Sequence, residues 1–97
     1  MAGVMDILPQ SEILAQLAEE AAELSQAALK LRRALGGTGN PTPVTAQEAF
    51  ERLLEELADV TVCVNQVCGI NWDYVNEIAK NKLGRWEGRL EGWLKER

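Results

Sequence analysis

Histidine is absent from this 97-residue chain. A ferritin-like di-iron site in a helical bundle needs Glu-x-x-His motifs, so that chemistry is excluded at the outset. Aromatic residues make up only 5% of the sequence and proline occurs 3 times, against 46% hydrophobic residues. That balance points to one helical domain over residues 1–97 with a modest core. A chain this short buries a limited share of its surface, so a short all-α bundle completed by homo-oligomerisation, as a homodimer or homotetramer, is expected. Basic residues are outnumbered, 10 against 15, and the net charge of −5 argues against binding a nucleic-acid polymer. It leaves a nucleotide substrate open, because metal ions bridge carboxylates to phosphates. No apolar run approaches the length of a membrane span, and the N-terminus lacks a basic region followed by an apolar one. A soluble cytoplasmic protein with no membrane partner is therefore expected. Cys63 and Cys68, five apart, have the wrong separation for an intrahelical disulfide or a CxxC site, and read as buried reduced thiols.

What the chain does have is helical periodicity in three segments. The first runs from about Ser11, a potential cap, to Leu35, with Ile13, Leu14, Leu17, Ala21, Leu24, Ala28 and Leu31 at helical spacing and Gly36-Gly37 ending it. Gly36 to Val44 reads GGTGNPTPV, a turn-rich loop in which Pro41 and Pro43 disfavour helix. Thr45 with Glu48 fits a capping box, and Phe50, Leu53, Leu54, Leu57, Val60, Thr61, Val64, Val67 and Cys68 trace a second stripe up to Gly69. A third segment starts near Asn71 or Trp72 and carries a looser stripe through Val75, Ile78, Leu83, Trp86, Leu90 and Trp93. Gly84, Gly88 and Gly92 lie four apart along it, and either break it in two or line a face that another backbone can approach closely.

Two acidic pairs, Glu20 with Glu23 and Glu56 with Asp59, recur at one spacing on the first two helices. At about 100° per residue, Glu20 projects about 60° from Leu17, between the directions of Ala27 and Leu31, and so borders or enters the apolar stripe. Glu23 lies further round the same edge, and Glu19 points to water. The same construction sets Glu56 about 100° from Leu57, near Cys63 and Val67, with Asp59 further round and Glu55 nearly opposite. If the helices pack antiparallel, both acidic edges face one cleft. Carboxylates so placed are costly unless compensated, and oxygen-only ligands select hard ions, so Mg²⁺, or Mn²⁺, is the expected cofactor. An ordinary ExxE pair is a solvated helix face, here with Lys30, Arg32, Arg33 and Arg52 as surface partners; two such pairs beside apolar edges on successive helices shift the balance to a metal site.

With these motifs in view, the chain resembles the MazG-like all-α nucleoside triphosphate pyrophosphohydrolases, in their stand-alone phage or bacterial form. The resemblance rests on EEAAE at Glu19 to Glu23 and ELAD at Glu56 to Asp59, in the flanking context of EEAAELSQAALKLRR and EELADVTVCV, and on the C-terminal KNKLGRW. It implies Mg²⁺-dependent hydrolysis of a (deoxy)nucleoside triphosphate between the α and β phosphates, to a monophosphate and pyrophosphate, by a homo-oligomer in bacterial or phage-infected host cytosol. Purine deoxynucleotides are one preference found among such forms. Glu20, Glu23, Glu56 and Asp59 are then the metal ligands and catalytic acids, with Glu19 and Glu55 as outer residues. Lys80, Asn81 and Lys82 are alternatives for one phosphate contact.

Lys82 and Arg85 are three apart and Asn81 and Arg85 four apart, so they share a face able to clamp β and γ phosphates, and Lys30 on the first helix adds a further cation. Trp72 and Trp86 offer stacking surfaces for a base and Asn65 a hydrogen-bonding edge. Two other readings share these residues: a hydrolase that clears damaged nucleotides, and a non-enzymatic helical interaction protein in which the glycine face and Trp93 matter more than the acids.

Overall fold

The computed structural model describes residues 2–36 and 44–97. Much of the expected loop, including Gly37, Pro41 and Pro43, lies outside them. Four helices follow one another, α1 (Val4–Ile7), α2 (Gln10–Ala34), α3 (Ala46–Val64) and α4 (Trp72–Glu96). The described residues contain no strand, so the all-α class holds.

Each boundary has a local cause. α2 begins immediately after Pro9, whose carbonyl accepts from Glu12 N (3.0 Å) and Ile13 N (3.2 Å); Ser11 therefore lies inside the helix and does not cap it. Gly36 ends α2 at φ 82°, a left-handed conformation that glycine adopts without a Cβ penalty. Thr45 Oγ1 accepts the Glu48 N–H at 3.1 Å and starts α3. α3 stops at Val64, four residues before Cys68, and the chain turns through Gly69 at φ 78°. Asn71 Oδ1 then accepts from Tyr74 N at 3.0 Å and caps α4. α4 continues without interruption across Gly84, Gly88 and Gly92, and space for a Cβ is open at all three. Among the described residues, no backbone approaches that face.

α2 and α3 pack antiparallel and form the only extensive helix–helix contact among the described residues. Their seam advances in steps of three and four: Ile13, Leu17, Glu20, Leu24, Ala27 and Leu31 on α2, and Ala46, Ala49, Leu53, Glu56, Val60 and Cys63 on α3, all buried or half-buried. This narrows the expected stripes. Leu14, Ala21 and Ala28 on α2, and Phe50, Leu54, Leu57 and Thr61 on α3, are exposed, because a two-helix hairpin covers one seam only. Cys63 is half-buried and Cys68 exposed, which corrects the reading of both as buried thiols; Cys68 falls in the turn after the helix has ended.

Gln10 fixes the register of this hairpin. Its amide donates to Gln66 O at 3.0 Å and accepts from Cys68 N at 2.9 Å, pinning the start of α2 to the turn beyond α3. α4 stands apart, exposed along its whole length except for half-buried Ile78. The radius of gyration is 17.7 Å over extents of 55 × 37 × 19 Å, where a compact chain of about 100 residues has about 13 Å. A single copy thus does not make the compact unit that its length allows. No helix is long and apolar enough to cross a membrane among the described residues.

Replacing Gln10 with Ala removes both bonds of the clamp and leaves two backbone groups to find water. We expect a loss of on the order of 1–2 kcal/mol, read as a lower urea midpoint at unchanged slope.

Candidate metal centre

The seam brings three acids to one point. Glu20 on α2 and Glu56 and Asp59 on α3 each present a carboxylate oxygen, and these oxygens lie within 4.8 Å of one another. Asp59 follows Glu56 by three residues and so stands beside it on the helix surface. Helical register thus does the placing: Glu20 and Glu56 fall on the seam, half-buried and buried, and Asp59 lies exposed beside it.

Burial makes the cluster demanding. Glu56 is 9% exposed, the one buried charged residue among the described residues. Its Oε1 lies 3.9 Å from Arg52 Nη1, a long pair with an arginine side chain that is 64% exposed. Glu56 Oε2 is buried with no hydrogen-bond partner. Glu20 Oε1 accepts from Gln16 Nε2 at 2.8 Å, one turn earlier, while Glu20 Oε2 is likewise buried and unpartnered. An unsatisfied carboxylate oxygen inside a seam costs free energy, and here two of them share one cluster with a third acid. The donor set is oxygen-rich, free of imidazole and open to water on the Asp59 side, which fits a hard divalent cation.

The cluster also acts on a neighbouring thiol. Burial pushes Cys63 above the usual thiol range, and the negative charges of Glu20 and Asp59 push it further. This places Cys63 at the edge of the acids, a neighbour that Cys-to-Cys spacing could not reveal.

The remaining expected residues separate into two groups. Glu23 is exposed and outside the three-acid cluster; it lines an adjoining cleft of about 570 Å³ together with Glu56 and Lys30. Glu19 is exposed as its projection required, and so is Glu55, 3.8 Å from Arg52. Lys82, Arg85 and Trp86 sit on α4, where they line a surface depression with Arg89, and Asn81 is exposed on the same helix. Asn65 is exposed at the end of α3, and Trp72 opens α4 at 46% exposure. Since α4 makes no extensive contact with the hairpin, one copy does not bring Lys82 or Arg85 into one site with the acids. Arg33 and Arg52 also line the cleft beside Glu56, although as sequence they read only as surface partners for acids. The Arg52–Glu56 spacing of four was the available signal.

Comparison of the chain with protein-family models, with curated proteins and with solved structures found no match.

Two measurements check this centre. Mg²⁺ or Mn²⁺ at about 100 times its dissociation constant should stabilise the chain by about 2.7 kcal/mol, seen as a rise in Tm that EDTA reverses, and Glu56→Gln should abolish the rise. Without metal, Glu56→Leu should itself stabilise by on the order of 1–3 kcal/mol, since it removes the unpartnered oxygen. Second, because its thiol is held protonated, Cys63 should alkylate slowly at pH 8 and accelerate as pH rises beyond the usual thiol range, with Glu20→Gln shifting that rise to lower pH.

Proposed function

We propose that this protein is a Mg²⁺-dependent (deoxy)nucleoside triphosphate pyrophosphohydrolase that releases a monophosphate and pyrophosphate. The observation that carries this reading is the pair of buried, unpartnered oxygens on Glu20 and Glu56, grouped with Asp59 beside a cleft that contains Lys30. It agrees with the sequence resemblance carried by EEAAE and ELAD.

A bound divalent cation supplies charge neutralisation for phosphate oxygens and activation of water. The chain's residues do the rest. Glu20 and Glu56 hold the charge from within the seam, fixed by packing and by the Gln16 hydrogen bond. Asp59 is exposed and adjoins them, so its carboxylate can orient a water from the solvent side. Attack of that water on the α phosphorus forms the new P–O bond while the bond to the bridging oxygen breaks. Pyrophosphate leaves with that electron pair, and the water's proton passes to a carboxylate oxygen of the site. Glu23, at the adjoining cleft, supports the site from outside the cluster.

A single copy leaves much apolar surface uncovered. Its exposed α4, with Val75, Leu83, Trp86, Leu90 and Trp93 uncovered, and the exposed Phe50, Leu54 and Leu57 on α3 are apolar surfaces that a second copy covers in a homodimer or homotetramer. In such an assembly Lys82, Arg85 and Asn81 are the groups that another copy's α4 could add beside the acids, and Trp72, Trp86 and Asn65 are the residues available to a base. One observation favours a different reading, a helical interaction protein: the face of α4 carrying Gly84, Gly88 and Gly92 is open and uncovered.

The test is incubation with a panel of ribo- and deoxynucleoside triphosphates and Mg²⁺ or Mn²⁺, with products separated by chromatography. Monophosphate and pyrophosphate should appear together; orthophosphate, or no turnover on any substrate, overturns the reading. Glu56→Gln should lower turnover by about 100-fold or more with helix content unchanged by circular dichroism. Unaltered turnover in that variant would favour the interaction protein.

A further inference from the structure

The cleft beside the acids has its own chemistry. At about 570 Å³ it falls among small-molecule sites, which span about 300–1,000 Å³. Lys30 and Arg33 enter it from α2 and Arg52 from α3, while Glu56 forms part of both the cleft and the acid cluster. Two helices therefore converge three cations on a space whose wall also carries the carboxylates of Glu23 and Glu56.

Simpler roles do not account for this convergence. Lys30 and Arg33 make no ion pair among the described residues. Arg52 reaches Glu55 and Glu56 only at 3.8 and 3.9 Å, from a side chain 64% exposed, and a solvated pair at that range contributes little. The negative C-terminal end of α2 favours cations at both Arg32 and Arg33. Yet Arg32 is exposed outside the cleft, whereas Arg33 is half-buried in its wall, so the helix dipole does not explain why Arg33 meets Lys30 and Arg52. Arginine's fork geometry suits phosphate oxygens, and the lysine adds a mobile point charge.

We propose that Lys30, Arg33 and Arg52 bind the β and γ phosphates of the triphosphate whose α phosphate lies at Glu20, Glu56 and Asp59. The proposal rests on the triphosphate reading of the acid cluster, and it makes the polyphosphate a ligand of the α2–α3 hairpin of one copy. The basic segment of α4 is then not required for phosphate affinity.

Calorimetric titration with inorganic tripolyphosphate in saturating Mg²⁺ tests this without any turnover. Lys30→Gln and Arg33→Gln should each weaken binding about tenfold, the equivalent of about 1.4 kcal/mol. Arg32→Gln, one residue away and outside the cleft, should bind as the unmodified chain does. Lys30 is exposed, so its variant keeps the fold even if Arg33→Gln does not, and circular dichroism identifies that case. Failure of the unmodified chain to bind tripolyphosphate, or unchanged affinity in Lys30→Gln and in folded Arg33→Gln, overturns the proposal. Normal nucleotide hydrolysis alongside unchanged affinity would remove the phosphate wall and leave the enzyme reading standing. Wall-dependent tripolyphosphate binding without nucleotide hydrolysis would do the reverse.

Discussion

Glu20 and Glu56 meet across a seam that otherwise consists of residues such as Ile13, Leu17, Leu24, Ala27, Ala49 and Leu53. Each carries one buried oxygen with no hydrogen-bond partner. An apolar pair of similar size would hold the hairpin together better, since repulsion and desolvation both act against two facing carboxylates. The rest of the site follows from this contact. Gln16 turns Glu20 by occupying one of its oxygens, Arg52 offers a distant counter-charge, and burial, with the negative charges of Glu20 and Asp59, pushes the Cys63 thiol up. The seam is thus a place where two carboxylates cost the hairpin stability.

The second governing fact is how little a single copy encloses. Ile13, Ala27 and Ala49 are the buried apolar residues among those described, and two of the three are alanines. The other apolar seam residues, Leu17, Leu24, Leu31, Leu53 and Val60, are only half-buried. Further leucines and the tryptophans lie uncovered on α3 and α4, on faces that the hairpin leaves free.

Much of this was legible in the sequence, for definable reasons. Thr45 and Asn71 have short oxygen-bearing side chains that cap helices, and Gly36 and Gly69 take the positive φ that ends them. Glu20 and Glu56 were legible because a 3.6-residue period assigns each position a direction, and Glu19 and Glu55 were set aside on the same ground. Leu14, Phe50 and Leu57 were not separable from the seam, because hydrophobicity reports that a face is apolar and not which neighbour covers it. Gln10 could not be found at all: a clamp between positions 10 and 66–68 depends on tertiary register, which leaves no local signal. For the same reason the cleft cations Arg33 and Arg52 read as ordinary surface charge until α2 and α3 were set side by side.

The turn from Asn65 to Asn71 has a mechanical consequence. Gln10 anchors it at Gln66 and Cys68, and immediately afterwards come Gly69, at φ 78°, and the Asn71 cap of α4. With little packing along its flanks, α4 is a cantilever whose direction is set at its root. Its 25 residues make an arm of roughly 37 Å at about 1.5 Å per residue. A rotation of about 10° at the root therefore sweeps the far end, near Trp93, through about 6 Å, more than the rise of one helical turn. A few dihedral angles around Gly69 thus govern where the distant aromatic and basic groups of α4 arrive, while the anchored hairpin and its acids stay in place.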